Sequence, residues 1–295
     1  MNAEKIVLAG GTGFMGAYLK NRFLQDGAEV LVVSRSGGDL GWSPTALQEA
    51  LEGATLLINL AGRSVNCRPT ARNIQEILDS RVRSTNLLGD ALKHCVHPPP
   101  LWINASGASV YDTPNAEPWT EQGKMGNTAM ATIVKKWEAA FFLFQLPQTR
   151  KVAFRFSLVL GPRGGILKPY RGLVRWGLGG SQAGGRQAMS WVHVEDVYRI
   201  IRFVQDHAGI EGPLNIASPE PVSNRAFMKA MRQVSGARMG LPAPRWVIQL
   251  GARIIGADSS LALTSLKVQP KALMDAGYAF RWPALEPALD NIYRS

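Results

Sequence analysis

Short apolar runs alternate along the first half of the chain with longer segments whose apolar residues recur every three or four positions. The runs predict strands at 5–9, 29–34, 55–61, 100–105 and 151–159. The segments between several of them predict helices at 15–26, 71–94 and 126–145. Strands that alternate with helices favour a parallel sheet that helices cover on both faces.

The alternation loosens after a glycine-rich stretch that follows Leu160. Beyond it we expect a short strand at 213–217 and helices at 166–177, 195–207, 223–235, 244–256 and 284–293, with Pro244 at a first helical position. The pattern therefore predicts an α/β fold. A Rossmann-type doubly wound parallel sheet occupies 1–162, and a smaller, mostly helical lobe occupies 163–295, of which 190–217 returns to the sheet.

Closely spaced glycines follow the first predicted strand and precede the first predicted helix. Gly10, Gly13 and Gly16 fit G-x-x-G-x-x-G, and Gly11, Gly13 and Gly16 also fit G-x-G-x-x-G. A tight turn into a helix exposes backbone N–H groups, on which a pyrophosphate can sit when no side chain intervenes. The segment predicts a dinucleotide site formed by Gly10, Gly11, Thr12, Gly13, Phe14, Met15 and Gly16.

The end of the second strand indicates which cofactor this site prefers. An NAD site usually has an acidic residue here to accept hydrogen bonds from the ribose hydroxyls, whereas this chain has Ser34 and Arg35. A guanidinium pairs well with a 2′-phosphate, so we predict NADP(H), with Asp39 leaving NAD as the alternative. The third strand ends in Asn59, Leu60, Ala61 and Gly62, which allows the backbone to pass close to the cofactor.

Composition narrows the functional classes. The net charge is +11, but the basic residues are scattered and no nucleic-acid-binding motif occurs, so we expect no nucleic-acid partner. No apolar run approaches about 20 residues and the N-terminus has no signal-like segment, so we expect no membrane partner and a cytoplasmic location. Neither the two cysteines, Cys67 and Cys95, nor the four histidines have metal-ligand spacing, and we predict no metal.

Several longer motifs resemble the extended and atypical short-chain dehydrogenase/reductases, and more narrowly their epimerase-like subgroup with a C-terminal domain of unknown function. Besides residues 10–16 and 59–62, they are Phe-Arg-Phe-Ser-Leu-Val-Leu-Gly-Pro at 154–162 and Ser-Trp-Val-His-Val-Glu-Asp-Val at 190–197. The subgroup is indicated by 67–68 with 76–81, Trp137-Glu138, 177–180 with 185–187, and 268–280. The resemblance spans essentially the whole chain and implies a Rossmann-type sheet and NADP(H) binding.

The chain departs from that superfamily in its catalytic residues. Typical members carry Tyr-x-x-x-Lys on a helix, in which the lysine lowers the pKa of the tyrosine. The corresponding positions here hold Ala129 and Ile133. By position, Ser106 matches the superfamily's catalytic hydroxyl. Tyr111 could donate a proton and His193 could titrate near neutrality as an acid or base, although a tyrosine at a strand end and a lone histidine on a strand are more often core residues.

The resemblance also points to residues beside the reaction centre. Trp191 lies in a segment that lines the substrate side in extended members, and Arg155 is an interior residue that belongs either to the pocket or to a structural ion pair. Arg81 occupies a position that usually holds a cofactor-side asparagine. Asp196 is expected to cap the following helix, and the segment 177–185 is either a lid over the nicotinamide or a surface loop.

Two functions from different classes remain open. One is an NADP(H)-dependent oxidoreductase or epimerase-like enzyme that acts on a small carbonyl or hydroxyl compound, in which Ser106 polarises the carbonyl. The other is a non-catalytic NADP(H) sensor or scaffold, favoured by the missing tyrosine and lysine; a nucleotide-sugar epimerase is weakened by the same absence. The chain is expected to be a monomer or a homodimer, in which helices 71–94 and 126–145 could pair.

Overall fold

The computed structural model describes residues 3–162, 164–256 and 258–294. Within them the strands are β1 (Lys5–Ala9), β2 (Glu29–Val33), β3 (Leu56–Asn59), β4 (Leu101–Gly107), β5 (Arg150–Phe156), β6 (Leu158–Leu160), β7 (Ala188–Met189), β8 (Trp191–His193), β9 (Gly212–Ile216) and β10 (Val222–Ser223). The helices are α1 (Phe14–Gln25), α2 (Pro44–Leu51), α3 (Ala71–Lys93), α4 (Ala129–Leu143), α5 (Leu167–Arg175), α6 (Val194–Asp206), α7 (Asn224–Val234), α8 (Arg245–Ile255), α9 (Ser260–Leu263), α10 (Lys271–Asp275) and α11 (Leu285–Arg294).

Six strands form one parallel sheet in the order β2-β1-β3-β4-β5-β9. The chain runs from β1 outward to β2 and then returns to place β3 on the other side of β1. A crevice therefore opens between the carboxyl ends of β1 and β3, which is where open α/β sheets bind ligands. The predicted doubly wound α/β fold is confirmed.

Side chains of β1 alternate between two hydrophobic cores, as the pleat requires. Ile6 and Leu8 face a core to which α1, α6 and the chain near Tyr278 contribute, whereas Val7 and Ala9 face one built from α2, α3 and α4. Both faces of the sheet are thus buried, which explains the nearly continuous apolar runs of its strands.

A third core holds the smaller lobe together, where α5, α7 and α11 pack around Trp191 and Phe227. Two short sheets, β6 with β8 and β7 with β10, connect it to the main sheet. The strand predicted at 151–159 is divided, because β5 belongs to the main sheet and β6 pairs with β8. The division of the chain at residue 162 stays a prediction.

Two local features differ from the sequence-based expectation. Helix α2 was not predicted; it begins after Ser43 with Pro44 at its first position, and it is only eight residues long. Pro244 precedes α8 as its N-cap instead of opening it. No helix in the described part of the chain combines the length and apolar character needed to cross a bilayer.

Candidate functional site

The glycine turn after β1 lies at the crevice between β1 and β3. Gly10 has φ +78°, and a Cβ on it would lie 2.7 Å from the backbone nitrogen of Ala61. A Cβ on Gly16 would lie 2.5 Å from Cα of Gly11. These two glycines are therefore required by close backbone packing, which a side chain would disrupt.

Gly13 differs from them because a Cβ there would make only an ordinary van der Waals contact. It is the N-cap of α1, with no side chain capping the helix, and the nearest atom to a Cβ there would be 3.6 Å away. The first turn of α1 contains no acidic residue. Free N–H groups, a helix N-terminus and an uncrowded approach form a cradle for a phosphate group.

Phe14 and its neighbours close the turn on both sides. The ring of Phe14 packs against the loop after β6, where a Cβ on Gly161 would lie 2.6 Å from the ring. Thr12 is exposed and Met15 half-buried, while Gly11 packs on Val32 of β2. The turn predicted from the sequence is thus held by β2, β3 and the loop after β6.

The end of β2 presents Arg35, for which the described structure shows no ion pair. Ser34 is buried and its hydroxyl bonds with Ser36, whereas Arg35 is exposed. Asp39 does not offer its carboxylate freely, because Oδ2 accepts a 2.8 Å hydrogen bond from the Val32 backbone and lies 3.7 Å from Nζ of Lys20. This arrangement favours a 2′-phosphate over a free ribose hydroxyl at this position.

A buried polar network fixes the end of β3. Asn59 Nδ2 donates to Oδ1 of Asn104 at 2.7 Å, and its own Oδ1 accepts from the Ala61 N–H at 3.0 Å. Thr85 joins this network and accepts a 2.9 Å bond from the indole of Trp137. Leu60 and Ala61 are therefore held beside Gly10 by a side chain that is itself fixed.

Arg81 reaches from α3 toward the same crevice. Its guanidinium donates to the carbonyl oxygens of Ile77 and Arg63 at 3.1 and 3.0 Å and lies 5.2 Å from the ring of Trp137. A Cβ on Gly62 would meet it at 3.1 Å. Burial lowers the pKa of Arg81 to about 10, and no carboxylate among the described residues offsets this.

A cavity of about 440 Å³ adjoins Arg81 along the carboxyl ends of β4 and β5. Its wall is mostly apolar and includes Ile77, Val134 and Phe156, with Ser106, Ser109 and Tyr111 among its polar residues. Ala129 and Ile133, which the sequence resemblance aligns with the Tyr-x-x-x-Lys pair, also line it. The cavity therefore lies where the resemblance places a substrate, with a different set of residues around it.

Behind this wall, Ser106 takes part in a buried ion-pair network. Its hydroxyl donates to Oε1 of Glu138 at 2.5 Å, and Arg155 contacts both oxygens of that carboxylate, at 2.8 Å from Nε and 2.7 Å from Nη2. Glu138 is 6% exposed and Arg155 1% exposed, so the pair is shielded from water. A bidentate guanidinium fixes the carboxylate, and the carboxylate fixes the serine.

Tyr111 is bound on the far side of Arg155. Its hydroxyl accepts from Nη1 of Arg155 at 2.9 Å and donates to Oδ1 of Asn215 at 2.7 Å. Burial raises the pKa of Tyr111, and the guanidinium opposes this only in part. The tyrosine lines the cavity with its ring while its hydroxyl is occupied by protein partners, which disfavours it as a proton donor to a substrate.

Three predictions in the 190–197 segment are corrected by the structure. Trp191 is fully buried in the core of the smaller lobe and does not line the cavity. His193 is also absent from the cavity lining; it caps α6 through Nδ1, which accepts a 3.0 Å bond from the Glu195 N–H. Burial lowers the pKa of His193 to about 4 against the opposing effect of Asn291, so titration near neutrality is wrong.

The expected cap, Asp196, instead ties the C-terminal segment to α6. Its carboxylate accepts from the backbone N–H groups of Arg281 and Trp282 and from the hydroxyl of Tyr278, at 2.8 to 3.0 Å. Arg155, which the sequence assigned either to the pocket or to a structural ion pair, forms the ion pair with Glu138. It directly precedes Phe156, a residue of the cavity wall.

The glycine-rich segment 177–185 lies away from the cavity. It is held to 241–243 by backbone bonds, such as Leu241 N to Gly177 O at 2.8 Å, and Gln182 N donates to Asn224 Oδ1 at 2.8 Å. Its residues are absent from the lining of the 440 Å³ cavity, whose outer wall comes from 258–266 instead. A larger, open hollow of about 1050 Å³ lies at the opposite edge of the sheet, where β4, β5 and β9 begin.

Sequence reasoning missed two parts of this site. Glu138 was recognised as a motif residue but assigned no role, although it falls on the buried stripe of α4 together with Val134 and Phe141. Because a carboxylate on an apolar stripe requires a buried partner, the position of Glu138 on that stripe could have indicated the ion pair. The wall at 258–266, including Asp258 and Ser260, had no such signal because only the fold brings it there.

Comparison with known proteins agrees with this geometry. Residues 6–217 match the model of the NAD dependent epimerase/dehydratase family, and 243–292 match a domain of unknown function, DUF1731. The chain is 31% identical to mouse epimerase family protein SDR39U1 over 298 residues, covering 98% of this chain and 99% of the relative. It is 30% identical to epimerase family protein YfhF of Bacillus subtilis over 301 residues, covering 97% of both.

Solved structures show the same architecture. Human epimerase family protein SDR39U1, crystallised with NADPH, superposes with a TM-score of 0.88 at 30% identity, covering 98% of this chain and 99% of that one. A nucleoside-diphosphate sugar epimerase from Corynebacterium glutamicum gives 0.80 at 25% identity, covering 99% of this chain and 58% of that one. The family resemblance drawn from the sequence is confirmed, and the chain belongs to the NAD dependent epimerase/dehydratase family.

Proposed function

We propose that this protein is an NADP(H)-dependent oxidoreductase or epimerase-like enzyme that acts on a small, largely apolar carbonyl or hydroxyl compound. The observation that carries the proposal is the continuity of one crevice. It runs from the glycine turn, past the end of β3 and Arg81, into the 440 Å³ cavity beside Ser106. A dinucleotide laid across the carboxyl edge of the sheet would end at that cavity.

The residues present fit NADP(H) at three places. Gly13 and the N-terminus of α1 would hold the pyrophosphate, and Arg35 the 2′-phosphate. Arg81, a buried cation without a carboxylate partner in the described structure, lies where an anionic or polar part of the cofactor would pass. The related human protein crystallised with NADPH supports the same cofactor here.

When bound, the cofactor supplies or accepts a hydride, and the chain's own residues must then move one proton. Ser106 directs its hydrogen to Glu138, so its oxygen is free to accept a proton from a substrate hydroxyl in the cavity. As the substrate proton is transferred to Oγ of Ser106, the proton of the serine hydroxyl passes to Oε1 of Glu138. Carbonyl reduction uses the same two proton transfers in the reverse direction. Arg155 holds Glu138 in place, which makes it a positioning residue.

This proton-transfer route takes the place of the Tyr-x-x-x-Lys pair, with which the resemblance aligns Ala129 and Ile133 of the cavity wall. It is tested by following NADPH absorbance with a panel of aldehydes and ketones. Ser106→Ala should reduce turnover by about 10²-fold or more, Ser106→Thr should retain part of it, and both should bind NADPH as the unmodified protein does. Equal turnover by the alanine variant would contradict the route.

A second candidate, a non-catalytic NADP(H) sensor or scaffold, is favoured by the same Ala129 and Ile133. Tight NADPH binding without turnover of any substrate in the panel would select it. If NADPH changes neither the tryptophan emission nor the melting temperature, both candidates fail together. The domain division at residue 162, a cytoplasmic location and a monomeric or homodimeric state belong to this proposal as further expectations.

A further inference from the structure

The surface around α8 combines exposed apolar side chains with unopposed positive charge. Helix α8 buries none of the side chains described for it, whereas the neighbouring helix α7 buries five residues. Trp246, Leu250 and Ile254 follow one another at intervals of four, and they are 65%, 53% and 72% exposed. They form one apolar stripe along a helix that faces solvent.

The stripe continues onto the neighbouring loops. Segment 177–180 pairs with Leu241 through backbone bonds, which brings Trp176 and Leu178 beside Met239 and Leu241. All four side chains are exposed, Trp176 by 79% and Met239 by 71%. We call the stripe and these loop residues together the α8 surface; its apolar members are Trp176, Leu178, Met239, Leu241, Trp246, Val247, Leu250 and Ile254.

Acidic residues are absent from the two sequence segments that build it. Segments 157–194 and 221–257 contain no Asp or Glu, and their basic residues are Arg163, Lys168, Arg171, Arg175, Arg186, Arg225, Lys229, Arg232, Arg238, Arg245 and Arg253. Four of these immediately precede an exposed apolar residue, in the pairs Arg175-Trp176, Arg238-Met239, Arg245-Trp246 and Arg253-Ile254. None of those four arginines takes part in an ion pair within the described structure.

We propose that the α8 surface binds the face of an anionic lipid bilayer. A surface-lying helix with an apolar stripe, tryptophan at its start and arginine directly before Trp246 and Ile254 matches the requirements of the headgroup boundary: apolar groups enter it and guanidinium groups meet lipid phosphates. A second copy of the chain fits less well, because a two-fold interface would place these unopposed arginines against each other. This surface spans no bilayer, and its apolar residues come from separate segments, so no long apolar run in the sequence marks it.

The proposal also places the cavity close to the bilayer. Arg68 donates to the carbonyl of Arg253 at 3.3 Å, which joins the end of α8 to the segment at 65–69. Val65, Cys67 and Pro69 of that segment line the cavity, as do Asp258 and Ser260 just beyond α8. An apolar cavity beside a bilayer contact suits a substrate that partitions into lipid; this last point alone rests on the proposed function.

The test is co-sedimentation of the full chain with vesicles of phosphatidylcholine alone or with about 30 mol% of the anionic lipid phosphatidylglycerol. We expect binding only to the anionic vesicles, weakened as salt is raised from about 0.1 to 0.5 M. Trp246→Ser with Ile254→Ser should lower the partition coefficient by about tenfold or more. Leu143→Ser on α4, 78% exposed and not a member of the α8 surface, is the matched control and should bind normally.

Several results would overturn the proposal. They are absence of binding to anionic vesicles, equal binding to neutral ones, or equal loss in the Leu143→Ser control. A dimer that the Trp246→Ser, Ile254→Ser variant abolishes, seen by light scattering without lipid, would assign the surface to a second copy instead. The assay uses no cofactor or substrate, so its outcome is independent of the NADPH-binding and turnover measurements.

Discussion

The two ends of the crevice are built from different materials. At the glycine turn the groups that we propose to bind the cofactor are backbone N–H groups. Gly10, Gly13 and Gly16 contribute because they carry no side chain. At the cavity the group that we propose to transfer the proton is Ser106, which donates a hydrogen bond to Glu138, and Glu138 is bound in turn by Arg155. The groups of the first region are consecutive in the sequence, whereas Ser106, Glu138 and Arg155 come from three separate elements.

The largest expected effect comes from variants that break the buried ion pair between Glu138 and Arg155. Glu138→Leu or Arg155→Met alone should lower the free energy of unfolding by about 3–5 kcal/mol, because each leaves an uncompensated buried charge. The double variant should lose much less than the sum, since neither charge then remains. Urea unfolding of all four proteins measures this coupling, and simple additivity of the two single effects would contradict a shielded ion pair.

A pH experiment tests whether His193 belongs to the proton-handling end or is only a helix cap. Its pKa is lowered in the folded state to about 4 from an ordinary 6.5, so the neutral form is favoured by folding. The titration of His193 therefore leaves the free energy of unfolding unchanged above pH 6.5. As the pH falls from 6.5 to 4, it lowers this free energy by roughly 3 kcal/mol in total.

His193→Asn keeps a helix cap without a titrating ring. The difference in unfolding free energy between this variant and the unmodified protein should therefore shrink or reverse toward pH 4. A pH-independent difference would show that His193 does not titrate as its burial implies. Turnover by the variant at pH 7 should change less than turnover by Ser106→Ala.

The glycine turn can be divided into folding and binding positions. Gly10→Ala should cost about 2 kcal/mol of stability, because the residue has φ +78° and its Cβ would lie 2.7 Å from Ala61 N. Gly13→Ala should cost less than about 1 kcal/mol but weaken NADPH binding about tenfold, since its Cβ would enter only the phosphate cradle. Melting curves and NADPH titrations distinguish the two, and equal melting temperatures would contradict the assignment.

The smallest effect concerns cofactor choice. Arg35→Ala should weaken NADPH binding by about tenfold, or about 1.4 kcal/mol, and leave NADH binding unchanged, since only NADPH carries a 2′-phosphate. Arg83, an exposed arginine on α3 outside the crevice, gives the control Arg83→Ala. An unchanged ratio of the dissociation constants for NADPH and NADH would show that Arg35 does not determine the preference for NADPH.

Much of the fold followed from the sequence for reasons of chain geometry. The five strands of the first half and the long helices were predicted because a strand buried on both faces is continuously apolar and a helix buried on one face is periodic. The eight-residue α2 was missed because two turns give little periodicity. The glycine turn was recognisable because its chemistry is carried by consecutive backbone groups.

What the sequence determined by itself is therefore the parallel sheet, the dinucleotide turn and the absence of a tyrosine at position 129. Only the tertiary structure decided that Glu138 binds Ser106, that His193 and Trp191 are buried away from the cavity, and that the apolar side chains of α8 are exposed. The physical reason is distance along the chain. Hydrogen bonds and charges act over a few ångströms, so partners that lie tens of residues apart become visible only when the fold brings them together.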